Sequence, residues 1–216
     1  PLRALLVEYG VRTPLRVIPT GLPPDRFEPG EGARFRAAHR IAAERPLLLY
    51  VGRVAHEKNL DFLLDAFREL HAARPDALLL IAGEGPARAH LVERAQALRL
   101  APSVLFVGYL DRAQALRDCY AAADVFVFAS RTETQGLVLL EAMAQGRPVV
   151  STAQLGTASI LQPGCGASVV PEDRVAFARA ALDLIEDPRR AARAGAAAQR
   201  YAEGWSAAVM AQRLAL

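Results

Sequence analysis

The sequence is short of thiols, and the two it has follow no pattern. Cys119 falls inside a helical pattern and Cys165 in a Pro-Gly-Cys-Gly turn, so neither a disulfide framework nor a metal knuckle is encoded. Two isolated cysteines fit a reducing compartment, and the cytoplasm is the expected location. Long apolar runs are missing too. The longest, LLLYV, ALLLIA and VFVFA, stop far short of the roughly 20 residues that a membrane span needs, and no signal-peptide pattern follows Pro1. Charge of one sign is not in excess: 26 basic and 23 acidic residues leave +3, with the arginines scattered. That balance argues against a nucleic-acid partner and fits a small anionic ligand. There is no Asp-Xaa-Asp pair, no His-Xaa-Xaa-Xaa-His and no acidic loop, and His39, His56, His71 and His90 are spread over helical patterns and one loop. No metal site and no cofactor is therefore expected. Internal repeats, low-complexity tracts and linkers are also absent.

What is present is a core. Over 216 residues, 52% are hydrophobic, enough for one large domain or two small ones. Short apolar runs at 16–20, 46–52, 77–83, 103–108, 124–130 and 147–152 read as strands. They alternate with helical patterns at 31–44, 57–73, 86–98, 111–122 and 136–145. Alternation on this scale means strand–helix–strand units, and strands that are apolar throughout mean a parallel sheet covered on both faces. The expected class is α/β, a Rossmann-like parallel sheet flanked by helices. Two or three further helices, near 171–185, 188–202 and 206–215, are expected to pack across one edge. The opening LRALLVEYGV reads as a helix ending at Gly10, with nothing before it to cover its apolar face. Residues 1–216 thus read as one domain cut from a longer protein.

In open parallel sheets, ligands bind beyond the carboxyl ends of the strands, where loops enter helices. Four such loops carry a glycine at the point of approach: Gly52, Gly83, Gly108 and Gly136. Each is also ordinary turn chemistry. Arg53 and Lys58 flank the start of the 57–73 helix and suit a diphosphate clamp, although a solvated Lys58 and an Arg53 paired with Glu57 would look the same in sequence. His56 lies between them and is given no role. The helix start at Gln135 to Val138 offers unpaired amides and the positive end of a dipole, an anion site. Glu133, just before it, suits a cap. Glu141 sits on the buried stripe of the same helix, where a carboxylate needs a partner: two ribose hydroxyls would serve, and so would an arginine.

These segments together resemble the donor-binding, C-terminal domain of a retaining glycosyltransferase of family 4 with the GT-B fold. The resemblance runs through VIPTGLPPDRF (17–27), YVGRVAHEKNLDFLLDAF (50–67), LLIAGEGP (79–86), VLFVGYL (104–110) and FASRTETQGLVLLEAMAQGRPVVST (128–152). The last holds the family's two glutamates, Glu133 and Glu141, separated by seven residues. The resemblance implies that Arg53 and Lys58 hold the donor diphosphate and that the amides around Gly136, Leu137 and Val138 meet its phosphates. Glu133 would contact hydroxyls of the transferred sugar and Glu141 the ribose, while Gly108, Tyr109 and Leu110 would border the base, with Gly52 and Gly83 lining the same crevice. Two departures stand out. Thr134-Gln135-Gly136 replaces the common Gly-Phe-Gly, a variant similar to enzymes with lipid acceptors such as diacylglycerol. AQLGTASIL (153–161) replaces the usual Gly-Gly-Xaa-Xaa-Glu.

The implied function is transfer of a hexose, glucose or mannose, from a nucleotide diphosphate sugar such as a UDP-sugar to a glycan or lipid. The acceptor would be presented by an N-terminal domain that this chain lacks, so the fragment alone is expected to be inactive. Peripheral attachment of the full-length enzyme to the inner face of a membrane is compatible with this. Two rivals are a GT-B nucleotide-sugar epimerase and a non-catalytic dinucleotide-binding module. The latter needs Gly-Xaa-Gly-Xaa-Xaa-Gly opening the first helix, whereas Gly83-Glu84-Gly85 follows an internal strand and lacks the third glycine.

Overall fold

A computed structural model describes residues 2–111 and 114–215. In chain order the elements are α1 (Leu2–Glu8), α2 (Gly32–Ala38), β1 (Leu47–Val51), α3 (Leu60–Ala73), β2 (Leu78–Ala82), α4 (Arg88–Ala97), β3 (Val104–Gly108), α5 (Ala115–Ala122), β4 (Val125–Phe128), α6 (Leu137–Ala144), β5 (Val149–Ser151), α7 (Gly156–Ile160), β6 (Ala167–Val169), α8 (Arg174–Glu186), α9 (Pro188–Glu203) and α10 (Ala207–Ala215). The strands form one parallel sheet in the order β3-β2-β1-β4-β5-β6. The four central strands are buried along their whole length, and apart from Ser151 their sequences are apolar throughout, while the edge strands β3 and β6 are partly open.

Helices cover both faces. α3 packs against α4 and α8 on one side, and α5 against α2 and α6 on the other. The C-terminal helices do not share one edge, contrary to expectation. α8 lies beside α3 over β4 and β5, whereas α9 docks on α6. Each is the amphipathic cover for an apolar surface that the earlier helices leave bare.

Other expectations are corrected as well. Residues 16–20 form no strand. The run has β-branched residues, but Val17 is 65% exposed, Pro19 has no N–H to donate, and the segment reaches no sheet edge. Only Leu22 makes a bridge, to Ser206, with its N–H on the Trp205 carbonyl at 2.8 Å. β6 and α7 went unread because each is short and only partly apolar. The 31–44 helix stops early: Arg40 turns left-handed at φ 56°, and the Ile41 N–H closes on the Arg36 carbonyl at 2.8 Å, a Schellman-type end. The 57–73 helix is split into a 3-10 turn at His56–Lys58 and α3, because Asn59 is left-handed at φ 59°. Of the 111–122 pattern, α5 begins at Ala115, and residues 112–113 lie outside the described residues. No helix among the described residues is long and apolar enough to cross a membrane.

Residues 22–31 have little regular structure but are tied down by side chains of α5 and α6. Gln145 accepts from the Gly30 N–H at 2.9 Å and donates to the Arg26 and Glu28 carbonyls at 2.9 and 2.8 Å. Asp118 accepts from the Glu31 N–H at 2.7 Å. Arg117 donates to the Asp25 carbonyl at 2.9 Å.

Beyond the strand ends the loops continue to zip together. The Gly52 N–H meets the Ala82 carbonyl at 3.0 Å, and the Gly83 N–H meets the Gly108 carbonyl at 2.7 Å. Gly83 has φ +140°, and a Cβ there would stand 1.9 Å from the Gly52 carbonyl oxygen. Gly83→Ala is therefore expected to destabilise the chain by at least about 1–3 kcal/mol, the usual size of local backbone strain. A urea-unfolding midpoint equal to that of the parent would contradict this packing.

Candidate functional site

The strand order reverses between β1 and β4. From β1 the chain moves outward through β2 and β3, then returns to β4 and continues the other way. Consequently the loop after β1 runs to α3 on one face, and the loop after β4 runs to α6 on the other. The gap where they part is the place at which this class of sheet binds ligands. Both loops are stitched across it. Asn59 donates to the Ala129 carbonyl at 3.3 Å, and the Thr132 hydroxyl to the Glu57 carbonyl at 3.4 Å.

The most direct bridge is ionic. Lys58 Nζ lies 3.1 Å from Glu133 Oε2, and both side chains are mostly buried. Glu133 Oε1 accepts from the N–H groups of Gln135 and Gly136 at 3.3 and 3.1 Å, so one carboxylate joins the lysine to the start of α6. Gly136 is the N-cap with φ 63°, and a Cβ there would stand 3.0 Å from Ile160, which accounts for glycine at this point. The next two amides, of Leu137 and Val138, have no acceptor among the described residues. Partial burial pushes the Glu133 carboxyl up, but the Gly136 amide and Lys58 outweigh it, and the net shift is downward. Lys58 is also the single lysine in a chain with 26 basic residues, a signal readable from composition.

Arg53 stands at the rim, its side chain 66% exposed and 3.8 Å from Glu57, a loose contact. Gly52, Gly83 and Gly108 lie where the loops pack on one another, so their backbones meet protein first. Tyr109 follows them, 73% exposed, with Leu110 half-buried beside it.

Glu141 is 3% exposed and is not a lone carboxylate. The Tyr120 hydroxyl donates to Oε2 at 2.9 Å, and Arg26 Nε lies 3.3 Å from Oε1. The arginine that the sequence left open as a partner is thus present.

Several supporting residues escaped the sequence. Glu172 pairs with Arg131 and accepts from Gln154 Nε2 at 2.6 Å, fastening the 130–136 loop to the segment after β5. The Arg131 guanidinium holds its carboxyl below the usual range. In that segment Ala153 and Leu155 are both left-handed, at φ 50° and 51°, and the Gly156 N–H reaches the Glu133 carbonyl at 2.9 Å. Leu155 is 56% exposed beside the site. The histidines are less scattered than expected: the His56 and His90 rings stand 5.4 Å apart. A cleft of about 800 Å³ opens at the opposite, amino end of the strands. Its arginines, Arg36 and Arg147, donate to backbone carbonyls, including those of Ala122 and Ala123 at 2.9 and 2.8 Å, and Arg36 also pairs with Asp124 at 3.0 Å.

Residues 32–201 match the family described as Glycosyl transferases group 1, and the chain belongs to that family. It is 37% identical over 154 residues to the alpha-monoglucosyldiacylglycerol synthase of Streptococcus pneumoniae, covering 69% of this chain and 35% of that protein. It is 35% identical over 217 residues to the GDP-mannose-dependent alpha-(1-6)-phosphatidylinositol monomannoside mannosyltransferase of Mycolicibacterium smegmatis, covering 96% of this chain and 56% of that protein. The chain therefore spans about a third to a little over half of these relatives. Among solved structures, sucrose-phosphate synthase from Thermosynechococcus elongatus superposes with a TM-score of 0.85 at 28% identity, over 99% of this chain and 54% of that one. Anabaena Alr3699/HepE in complex with UDP gives 0.86 at 20% identity, over 99% and 60%, a likeness of fold. The fold is that of the GT-B glycosyltransferases, as the resemblance implied.

The Lys58–Glu133 contact has a pH signature. A carboxyl held below its ordinary 4.5 in the folded chain contributes stability above that value and loses it as the pH falls through the folded one. Carboxyl-carbon NMR should show Glu133 titrating below 4.5 in the parent and moving upward in Lys58→Met. A parent titration at or above 4.5 would remove the ion pair from solution.

Proposed function

We propose that this chain binds a nucleotide diphosphate sugar and is the donor half of a retaining hexosyltransferase. The observation that carries the reading is the Lys58–Glu133 pair, 3.1 Å apart at the strand-order reversal, beside the open amides of Leu137 and Val138. An ammonium has three donors. One goes to Glu133, and the others are available to a diphosphate seated on the α6 start, with Arg53 closing from the rim. As the sugar–phosphate bond breaks, negative charge grows on the leaving diphosphate, and Lys58, Arg53 and the helix dipole meet it without a metal ion. Glu133, within reach of the same point, accepts from hydroxyls of the transferred hexose. Glu141 accepts from the ribose hydroxyls, and Tyr109 with the Gly108–Leu110 loop borders the base.

The relatives support the choice of chemistry. One is named for a glucosylated diacylglycerol and another for GDP-mannose and a phosphatidylinositol mannoside, which favours glucose or mannose as the sugar and a lipid as the acceptor. Solved structures of the same fold carry UDP, UDP with glucose, and UDP-glucose. Acceptor and activating groups come from a further, N-terminal domain, since positioning within about 3 Å of the reacting carbon supplies much of the rate and the chain spans only part of its relatives' length. We place the enzyme in the cytoplasm, at the inner face of the membrane where a lipid acceptor lies.

The single lysine makes the test clean. Amine-reactive labelling read by mass spectrometry should modify Lys58, and UDP or GDP should protect it. Lys58→Ala and Arg53→Ala should each weaken diphosphate binding by about 1.5–3 kcal/mol, the worth of a hydrogen bond to a charged group, and leave nucleoside binding unchanged. UDP should bind more tightly than its 2′-deoxy form, and Glu141→Gln should erase that preference. Full labelling of Lys58 in saturating nucleotide would refute the reading, and acceptor-free epimerisation of a sugar nucleotide would replace transfer with isomerisation.

A further inference from the structure

We propose that His56, Asp61 and His90 form a surface binding site for a divalent transition-metal ion of the zinc type. The three come from different elements: His56 opens the 3-10 turn after β1, Asp61 is in the first turn of α3, and His90 is in the first turn of α4. One ligand atom from each lies within 4.8 Å of the other two. His90 Nε2 is already 2.8 Å from Asp61 Oδ1, and the His56 and His90 rings, tilted 53° to one another, stand 5.4 Å apart between centroids.

Two ligands on one zinc ion, each bonded at about 2.0–2.2 Å, stand roughly 3–3.5 Å apart. The His90–Asp61 pair is therefore close to a chelating separation, and His56 has to close by little. Exposed side chains do this by changing rotamer, since His56 and His90 are exposed and Asp61 is half-buried. Two imidazole nitrogens with one carboxylate oxygen select zinc, nickel or copper over magnesium, which prefers an all-oxygen shell. One cation competes: Arg94 Nε lies 3.2 Å from Asp61 Oδ1. Its Nη2 is held by both oxygens of Asp65 at 2.9 and 2.8 Å, so Arg94 keeps a full partner when an ion takes Asp61. The remaining coordination positions face solvent and accept water. A bound ion would pin the turn carrying Lys58 to α4.

The test is calorimetric titration of the untagged, metal-stripped chain with zinc chloride. One saturable equivalent is expected, with magnesium chloride silent. His56→Ala and His90→Ala should each weaken zinc binding by about ten- to a hundredfold, as loss of a metal-supporting group commonly does. His39→Ala, far from the cluster, should bind as the parent does. Metal-free circular dichroism of the two variants should match the parent, because neither side chain is in the core. No saturable zinc heat in the parent would overturn the proposal, as would unchanged affinity in the His56→Ala/His90→Ala double variant.

Discussion

The parallel pairing of Leu48 and Leu49 in β1 with Val125 and Phe126 in β4 is the constraint on which the site depends. These strands are neighbours in the sheet but far apart in the chain, and the helices that follow them lie on opposite faces. Their loops must part, and the parting leaves the Leu137 and Val138 amides at the start of α6 without an acceptor among the described residues. Hydrophobic burial supplies the energy for the arrangement, since all four residues are buried. Polar groups then need only be placed, not assembled.

Placement is economical. Glu133 satisfies two amides at the head of α6 and a lysine from the opposite loop with a single carboxylate. Such a pair, screened from water on most sides, is stronger than a surface pair and more directional, because each oxygen has its own donors. It also sets the loop geometry before a ligand arrives. Glu172 repeats the device one layer out, joining Arg131 to Gln154, and the left-handed Ala153 and Leu155 between β5 and α7 show that this outer segment is bent to fit rather than relaxed.

Much of this was legible in the sequence. Five of the six observed strands announce themselves by apolar runs, four because a strand buried on both faces must be largely apolar and β3 although it lies at an edge, and the glycine-marked loops follow the strand ends. Residues 16–20 misled because a β-branched run signals local preference, while strand formation needs a free edge to pair with. β6 was invisible for the opposite reason: it pairs by backbone, with side chains too small and too open to leave a pattern. At the site, Arg53, Lys58, Glu133 and Gly136 could be read because each lies beside a strand end. The partners of Glu141 could not, since Tyr120 and Arg26 reach it only through the packing of α5 and residues 22–31 against α6. The meeting of His56 and His90 was hidden for the same reason, as it depends on how α4 lies against α3.

The clamped stretch at residues 22–31 has a consequence for how the molecule opens. A segment with so little regular structure would ordinarily fray and exchange its amide protons early. Here its carbonyls and amides end on Gln145, Asp118 and Arg117, and Arg26 is matched to Glu141 inside α6. Releasing it would strand buried polar groups on α5 and α6, so its opening costs nearly what unfolding those helices costs. Irregular in shape, it belongs cooperatively to the helical layer, and a cut within it would loosen the helix that carries the candidate site.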